Sequence, residues 1–272
     1  MRPIEAIDEL KKSYVNTDLD WELLLEFAYR ELLAPDSCVM DIGGHNGRHA
    51  DVFIQQIGCA RVAVVEPLPD HAAALEERYR QNSGVSVHAL AVGREAGRTS
   101  FVFNAGSPEE SGIRERRYNH PDTTHLVELE VDILRLDDLC GDWERLDFVK
   151  VDTEGGEIDI LAGGEETLRR LRPVLSVEYG AAGYEAYGHE RSTLFERATA
   201  LDYGLMDLFG HAIPTLEEWS RCSDNFYWDY LMVPNERFAE VSQRLSGQWG
   251  RVEEVVTSAA LDRIRSGLAP GA

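Results

Sequence analysis

Charged side chains cluster where one predicted strand ends. Lys150, Asp152, Glu154 and Glu157 lie within the segment FVKVDTEGGE, at and just beyond the end of a short apolar run. Side chains alternate along a strand, so Lys150 and Asp152 should point to one side and Val151 to the other. Burial of a lysine beside a carboxylate is costly unless the two groups pair. The pattern therefore predicts an ion-pair network at this strand end.

These residue types suit a reaction in which a weak nucleophile must lose a proton. Asp152 and Lys150 are candidate catalytic residues, and Glu178, which ends a later apolar run, should face the same crevice. Asp152 and Glu178 could also hold Mg²⁺ through oxygen ligands. The alternative is that the Lys150–Asp152 pair only braces the loop and caps the next helix.

A loop rich in glycine and tyrosine follows Glu178, over residues 179–189. We expect its backbone to be mobile and its aromatic faces to form a wall for a ring-shaped substrate. His189 is a fourth catalytic candidate, because histidine can act as a general base near neutral pH; the alternative is an exposed loop side chain. His45 and His49 lie four residues apart, but His45 falls in a glycine loop, so we predict no metal there.

The segment DIGGHNG, residues 41–47, joins a predicted strand to a predicted helix. Its glycines allow the backbone to turn sharply and to approach a ligand, because no Cβ intrudes. The spacing lacks the G-x-G-x-x-G pattern of nicotinamide enzymes. The acid before the first glycine would repel a pyrophosphate, but not the cationic amino-acid end of S-adenosylmethionine. We therefore expect the loop to bind that cofactor through Asp41, Gly43, Gly44, Asn46 and Gly47.

The second predicted strand, RVAVVE, ends at Glu66 and is followed by Pro67. An acid at this place in an α/β sheet can accept hydrogen bonds from both hydroxyls of a ribose. The third predicted strand ends at Ala91 and Val92, which we expect to contact the same cofactor together with Pro67. The glycine loop and the acid together predict a ligand that contains adenosine.

The elements that must position these residues alternate along the chain. Short apolar runs are separated by segments of helical spacing, which predicts an α/β fold with a parallel sheet and helices on its faces. The predicted strands are residues 37–42, 61–66, 85–92, 99–103, 126–133, 146–151, 173–179, 204–209 and 227–233. The predicted helices are residues 4–33 (one or two helices), 48–57, 70–82, 157–171, 194–201, 237–245 and 252–264.

A polar segment, residues 104–125, interrupts this alternation. A loop of that length inside a compact domain is usually functional or mobile. We expect it to close over the cofactor or the acceptor when ligand binds.

The chain of 272 residues carries a formal net charge of −22 at pH 7. That charge repels nucleic-acid phosphates, so we expect no nucleic-acid partner. No apolar run reaches the roughly 18 residues that a membrane span needs, and the N-terminus has acids where a signal peptide would be apolar. The four cysteines lie far apart, as is typical of reduced thiols. We expect a cytoplasmic protein without membrane insertion.

Several segments resemble the FkbM family of methyltransferases, in the family's order: VMDIGGHNGRHA, AVVEPLPDH, HALAVGREAG, LDFVKVDTEGGEIDILAGGEETL and RPVLSVEY. The stretch FVKVDTEGGEIDILAG is the most distinctive, and the resemblance covers about residues 37–233. It implies a Rossmann-like class I methyltransferase fold with a late antiparallel strand, and S-adenosylmethionine as methyl donor. The loop departs from the family pattern by a glycine in place of alanine, which keeps the turn, and by His45.

The resemblance further implies methylation of a hydroxyl on a sugar or glycan, or on a polyketide or peptide natural product. The alternatives are N-methylation of a small amine, a nicotinamide-dependent oxidoreductase, and a non-catalytic adenosyl-binding protein. A homodimer is compatible with the sequence. We predict an N-terminal helical extension over residues 1–36, a methyltransferase domain over 37–235 and a C-terminal helical tail over 236–272.

Overall fold

The computed structural model describes residues 1–13, 19–104, 111–114, 125–223, 225 and 227–255. Within them, a main sheet and a smaller sheet contain all the named strands. The strands are β1 Cys38–Ile42, β2 Arg61–Val65, β3 Val85–His88, β4 Ala91–Gly93, β5 Gly97–Asn104, β6 Leu126–Arg135, β7 Phe148–Val151, β8 Val174–Glu178, β9 Tyr203–Met206, β10 Ala212–Ile213 and β11 Asp229–Pro234.

The main sheet has the strand order β10-β9-β11-β8-β7-β1-β2-β3. The five strands from β8 to β3 pair in parallel, whereas β11 lies antiparallel to both β8 and β9. Strands that are buried on both faces have nearly continuous apolar sequences. The strands β1, β2 and β7 have such sequences. The predicted α/β fold, with a mostly parallel central sheet and a late antiparallel strand, is confirmed.

The helices pack on both sides of this sheet or precede it. They are α1 Pro3–Ser13, α2 Trp21–Leu32, α3 Arg48–Asp51, α4 Pro69–Tyr79, α5 Leu136–Leu139, α6 Glu157–Gly163, α7 Glu165–Leu171, α8 Ala181–Ala186, α9 Thr193–Ala200, α10 Leu216–Cys222 and α11 Phe238–Leu245. A π-helical turn over Val52–Ile57 continues α3, and short 3₁₀ turns cover Asn235–Arg237 and Gln248–Val255. The rest of the helix predicted over 252–264 lies outside the described residues.

The prediction of one strand over residues 85–92 is wrong. The chain turns after His88, whose carbonyl accepts hydrogen bonds from both Glu66 N and Leu90 N, each at 3.0 Å. The following strand, β4, leaves the main sheet and joins the smaller sheet of order β4-β6-β5. The apolar alternation continues through this turn, so the pattern gave no sign of the break.

Two further predictions need correction. The single helix predicted over 157–171 is divided into α6 and α7 at a glycine pair, where Gly163 contacts the small sheet: a Cβ on it would lie 2.1 Å from Gly93 O. The glycine- and tyrosine-rich loop after Glu178 is only partly an open wall: part of it forms α8 and Tyr184 is 1% exposed, whereas Tyr187 lines a cavity.

The N-terminal helices share the core of the sheet. Leu10 and Leu24 are buried in the same apolar cluster as Val39 of β1. The start of α2 is fastened by ion pairs from Arg48, whose guanidinium lies 3.0 Å from Asp20 and 2.9 Å from the carboxylate of Glu26, itself buried on α2. The chain division at residues 36 and 235 stays a prediction.

The 104–125 segment is described only at Asn104, at residues 111–114 and at His125, and its predicted closure lies outside the described residues. Gly112 pairs with Val102 of β5 through an isolated bridge. Among the helices of the described part of the chain, none is long and apolar enough to cross a membrane.

Candidate active site

A cavity of about 440 Å³ opens at the carboxyl ends of the parallel strands. Ligands of open α/β sheets bind at this edge. Most of the predicted site residues line it: Gly43, Gly44, Asn46, Glu66, Pro67, Ala91, Val92, Lys150, Asp152 and Glu178. The predicted glycine loop, second-strand acid and charged strand end therefore meet in one place.

The glycine loop follows β1 and approaches β7 closely. Gly43 has φ +85°, and a Cβ there would lie 1.9 Å from the carbonyl oxygen of Asp152. Gly47, also at φ +85°, precedes α3, and a Cβ on it would lie 2.7 Å from Leu75 Cδ2. Gly47 is not among the residues that line the cavity. Its role in the described structure is to let the loop pack on α4.

Glu66, just after β2, connects the two turns that border the cavity. Its Oε2 accepts a hydrogen bond from His45 N and its Oε1 from Leu68 N, both at 2.8 Å. Burial raises the pKa of this carboxyl, although the two backbone amides oppose the rise. Each oxygen retains a further lone pair, so Glu66 can still accept from a hydroxyl of a ligand.

Apolar side chains form the wall beside Glu66. Leu68, Ala91 and Phe101 belong to one small apolar cluster and line the cavity with Val92 and Ile113. A carboxylate next to an apolar slot matches a ribose joined to an adenine. The residues present therefore fit the adenosine part of S-adenosylmethionine.

A buried lysine connects the glycine loop to β7. Lys150 Nζ lies 2.9 Å from Asp152 Oδ2, 3.8 Å from Asp41 Oδ1 and 3.4 Å from Gly43 O. Burial alone would lower the pKa of Lys150, but the charges of Asp152 and Asp41 raise it above its ordinary value. The predicted network is present.

Asp41 does not line the cavity, in contrast to the expectation that it would face the cofactor. It is 0% exposed beneath the loop. Burial raises the pKa of its carboxyl despite the charge of Lys150. Asp41 therefore influences the cavity from beneath the loop, through its contact with Lys150 and through the effect of its charge on Glu66.

Asp152 and Glu178 lie in a group of carboxyls at one end of the cavity. Glu178 pairs in register with Asp229 across β8 and β11, and it hydrogen bonds to Asp152. Burial and the neighbouring charge of Glu154 raise the pKa of Glu178 well above its ordinary value. Burial also raises the pKa of Asp152, but the charge and hydrogen bond of Lys150 outweigh it and lower that pKa overall.

Glu157 holds the loop after β7 in place. Its Oε1 accepts hydrogen bonds from Thr153 N at 2.8 Å and from Gly155 N at 3.2 Å. Burial raises the pKa of this carboxyl to about 7. Glu157 does not line the cavity. It positions Asp152 and Glu154 through its hydrogen bonds to the backbone of the residues that follow them, Thr153 and Gly155.

Sequence reasoning missed a second set of polar residues at the cavity. Glu22, in the first turn of α2, lines it beside His49 of α3. His49 Nε2 lies 2.6 Å from Glu22 Oε2, and its Nδ1 lies 3.1 Å from the hydroxyl of the buried Tyr29. Glu22 and His49 belong to two helices that meet only in the folded chain, so no local sequence pattern predicts their contact.

The structure does not bring His189 to the site. It is not among the cavity-lining residues, and its Nε2 lies 3.8 Å from Asp159 Oδ1. Tyr187, which directly follows α8, lines the cavity, but His189 two residues later does not. Burial lowers the pKa of this histidine.

The acids do not fit the Mg²⁺ that the sequence left open as an alternative. Within the described ranges, no group of three or more His, Cys, Asp or Glu side chains is arranged to hold a metal ion. Asp152 is already bound to Lys150, and Glu178 to Asp152.

Comparison with known proteins identifies similar chains. Residues 41–219 match the family described as the Methyltransferase FkbM domain. The 2-O-methyltransferase NoeI of Sinorhizobium fredii is 30% identical over 149 residues, which cover 51% of this chain and 61% of that protein. Methyltransferase 1 of Beauveria bassiana is 28% identical over 171 residues, which cover 52% of this chain and 68% of that protein.

A crystal structure of Methyltransferase FkbM from Methylobacillus flagellatus KT is 17% identical, with a TM-score of 0.46, and the match covers 85% of this chain and 58% of that one. The chain spans less than two thirds of the NoeI relative's length.

Proposed function

The chain belongs to the FkbM family of S-adenosylmethionine-dependent methyltransferases, and from that premise we propose that it methylates a hydroxyl group of a small-molecule or glycan acceptor. The observation that carries the proposal is the single cavity in which the glycine loop and Glu66 meet Asp152 and Glu178. Donor-binding and proton-accepting groups therefore border the same space.

We assign the donor end to the glycine loop, Glu66 and the apolar wall of Ala91 and Val92. S-adenosylmethionine, when bound there, supplies an electrophilic methyl group. Glu66 would accept hydrogen bonds from the ribose, and the loop backbone between Gly43 and Asn46 would hold the amino-acid end.

We assign the acceptor end to Asp152 and Glu178. Asp152 carries its negative charge readily, because Lys150 lies 2.9 Å away, and it accepts the hydrogen bond of the acceptor hydroxyl. Glu178 keeps its proton to higher pH than an ordinary glutamate and donates to Asp152, which fixes the carboxylate in place. Much of the rate enhancement would then come from the way these residues orient the acceptor oxygen toward the donor.

Binding of S-adenosylhomocysteine tests the donor end. We expect it to raise the melting temperature of the protein, since a ligand of the folded state stabilises it. Glu66→Ala should weaken binding by about 1–3 kcal/mol, the scale of a lost hydrogen bond to a charged group. A thermal-shift scan measures the melting temperature and isothermal titration calorimetry measures the affinity, with Glu76→Ala on the exposed side of α4 as the matched control. No heat of binding at millimolar ligand would contradict the proposed function.

The pH dependence of stability tests the acceptor end. The carboxyl of Glu178 has its pKa raised well above 4.5 by burial and by the charges of Glu154, Asp152, Glu157 and Asp229. The folded state therefore binds this proton more tightly than the unfolded chain, so the free energy of unfolding falls as pH rises above 4.5.

Glu178→Gln removes that titration. Urea unfolding should show the variant to be more stable than wild type at pH 8 and similar to it at pH 4. Glu128→Gln, on the exposed side of β6, should follow the wild-type curve. A variant curve parallel to that of wild type across this range would refute the assignment of a raised pKa to Glu178.

A further inference from the structure

Glu22 reaches the cavity from outside the stretch that matches the family. It lies in the first turn of α2, and the family match begins at residue 41. Its side chain is 42% exposed and lines the cavity. A bound acceptor can therefore touch it directly.

A buried chain of contacts holds this carboxylate in place. His49 lies between two groups: its Nδ1 is 3.1 Å from the Tyr29 hydroxyl and its Nε2 is 2.6 Å from Glu22 Oε2. Burial raises the pKa of Glu22, but the hydrogen bond and charge of His49 outweigh it and lower the pKa overall. Glu22 is therefore an ionised acceptor with one oxygen held by His49.

The helix that carries Glu22 is itself fixed at its start. Asp20 caps α2 by accepting a hydrogen bond from Leu23 N at 3.0 Å, and Arg48 bridges Asp20 to Glu26. Because Arg48 and His49 are consecutive in α3, the helix start and the histidine are placed by the same element. Such support is what a recognition residue needs to select between similar ligands.

Glu22 and Asp152 line the same cavity from different elements, and the charge of Asp152 acts on Glu22. The methylated hydroxyl can donate to only one of them. If an acceptor displaced water from the cavity and offered nothing to Glu22, the carboxylate would lose its hydrogen bonds to water without replacement. A matching acceptor must therefore offer a second donor.

We propose that Glu22 is a specificity residue, which accepts a hydrogen bond from a second hydroxyl of the acceptor, adjacent to the one that is methylated. The acceptor class is thus a vicinal diol, as in a pyranose ring. His49 and Tyr29 are positioning residues for this contact. The proposal rests on the proposed function, since it needs a hydroxyl at Asp152.

The test uses the full chain, tritium-labelled S-adenosylmethionine and a panel of methyl pyranosides with the gluco, manno and galacto configurations. The best acceptor is compared with its monodeoxy analogue, which lacks the hydroxyl next to the methylated one. Wild type should prefer the diol by about tenfold or more in kcat/KM, because a lost hydrogen bond to a charged group has that effect.

In Glu22→Gln this preference should fall to nearly one, with the affinity for S-adenosylhomocysteine unchanged. His49→Asn should lower the preference in the same direction, which keeps the test valid if the first variant folds poorly. Glu31→Gln, the same change at an exposed position of α2, should keep the wild-type preference.

The outcomes separate the two proposals. Equal rates on the diol and its deoxy analogue in wild type, or an unchanged preference in Glu22→Gln, would overturn the role of Glu22 and leave the methyltransferase proposal standing. Transfer to none of the pyranosides would overturn the diol class. Absence of S-adenosylhomocysteine binding would overturn the proposed function itself.

Discussion

Replacing Lys150 with methionine is expected to lower the free energy of unfolding by about 3–5 kcal/mol, the scale for removing one partner of a buried ion pair. The side chain of Lys150 is 3% exposed, and it is the cation between Asp41, which is fully buried, and Asp152. Methionine has a similar length but leaves both acids without their positive neighbour. Urea denaturation at pH 7 measures the loss.

Two companion variants make this result specific. Lys12→Met, at an exposed position of α1, should change stability by no more than about 0.5 kcal/mol. Adding Asp41→Asn to Lys150→Met removes one of the stranded charges, so the double variant should regain part of the loss. If Lys150→Met alone costs less than about 1 kcal/mol, the lysine does not compensate a buried charge as described.

Asp152→Asn is expected to lower turnover about 10²-fold or more, a typical scale for the loss of general-base assistance. Asparagine keeps the size of the side chain but removes the charge that accepts the proton of the acceptor hydroxyl. Because Glu66 and the apolar wall lie elsewhere in the cavity, the affinity for S-adenosylhomocysteine should remain nearly unchanged. Radiolabel transfer to the best pyranoside and calorimetry measure the two quantities.

Asp142→Asn is the control for this variant, since its side chain is 82% exposed. The loss of both folding and cofactor affinity in Asp152→Asn would favour the alternative in which the Lys150–Asp152 pair only braces the loop. The reaction would then depend on positioning alone, since His189 lies outside the cavity lining.

The main sheet could be predicted from the sequence because each central strand is a short apolar run that ends at a polar loop. Local pattern cannot tell which sheet a strand joins, and the run over residues 85–92 therefore concealed a change of sheet at His88. The break between α6 and α7 had a visible sign in Gly163 and Gly164, but a glycine pair within a helical pattern does not by itself end a helix.

In the candidate site too, contacts within one stretch of chain could be predicted from the sequence, whereas contacts between separate elements could not. Asp152 directly follows the strand that carries Lys150, two residues before it, so the alternation of side chains predicted their contact. Glu22 and His49 belong to different helices, and their contact depends on how α2 docks on α3. The burial of Asp41 also depends on packing. The sequence pattern of an acid at a strand end is the same whether the acid faces a ligand or a lysine.

Helix α2 lies outside residues 41–219, the stretch that identifies the family, yet it borders the cavity. Glu22 lines the cavity, whereas other residues of α2, such as Leu24, pack in the core, so a substitution at Glu22 can change the cavity wall without removing that packing. On the proposed role of Glu22, part of the choice of acceptor lies outside the stretch that identifies the family. Two homologues with the same core can differ in what they methylate, so grouping them by acceptor requires their N-terminal helices to be compared as well.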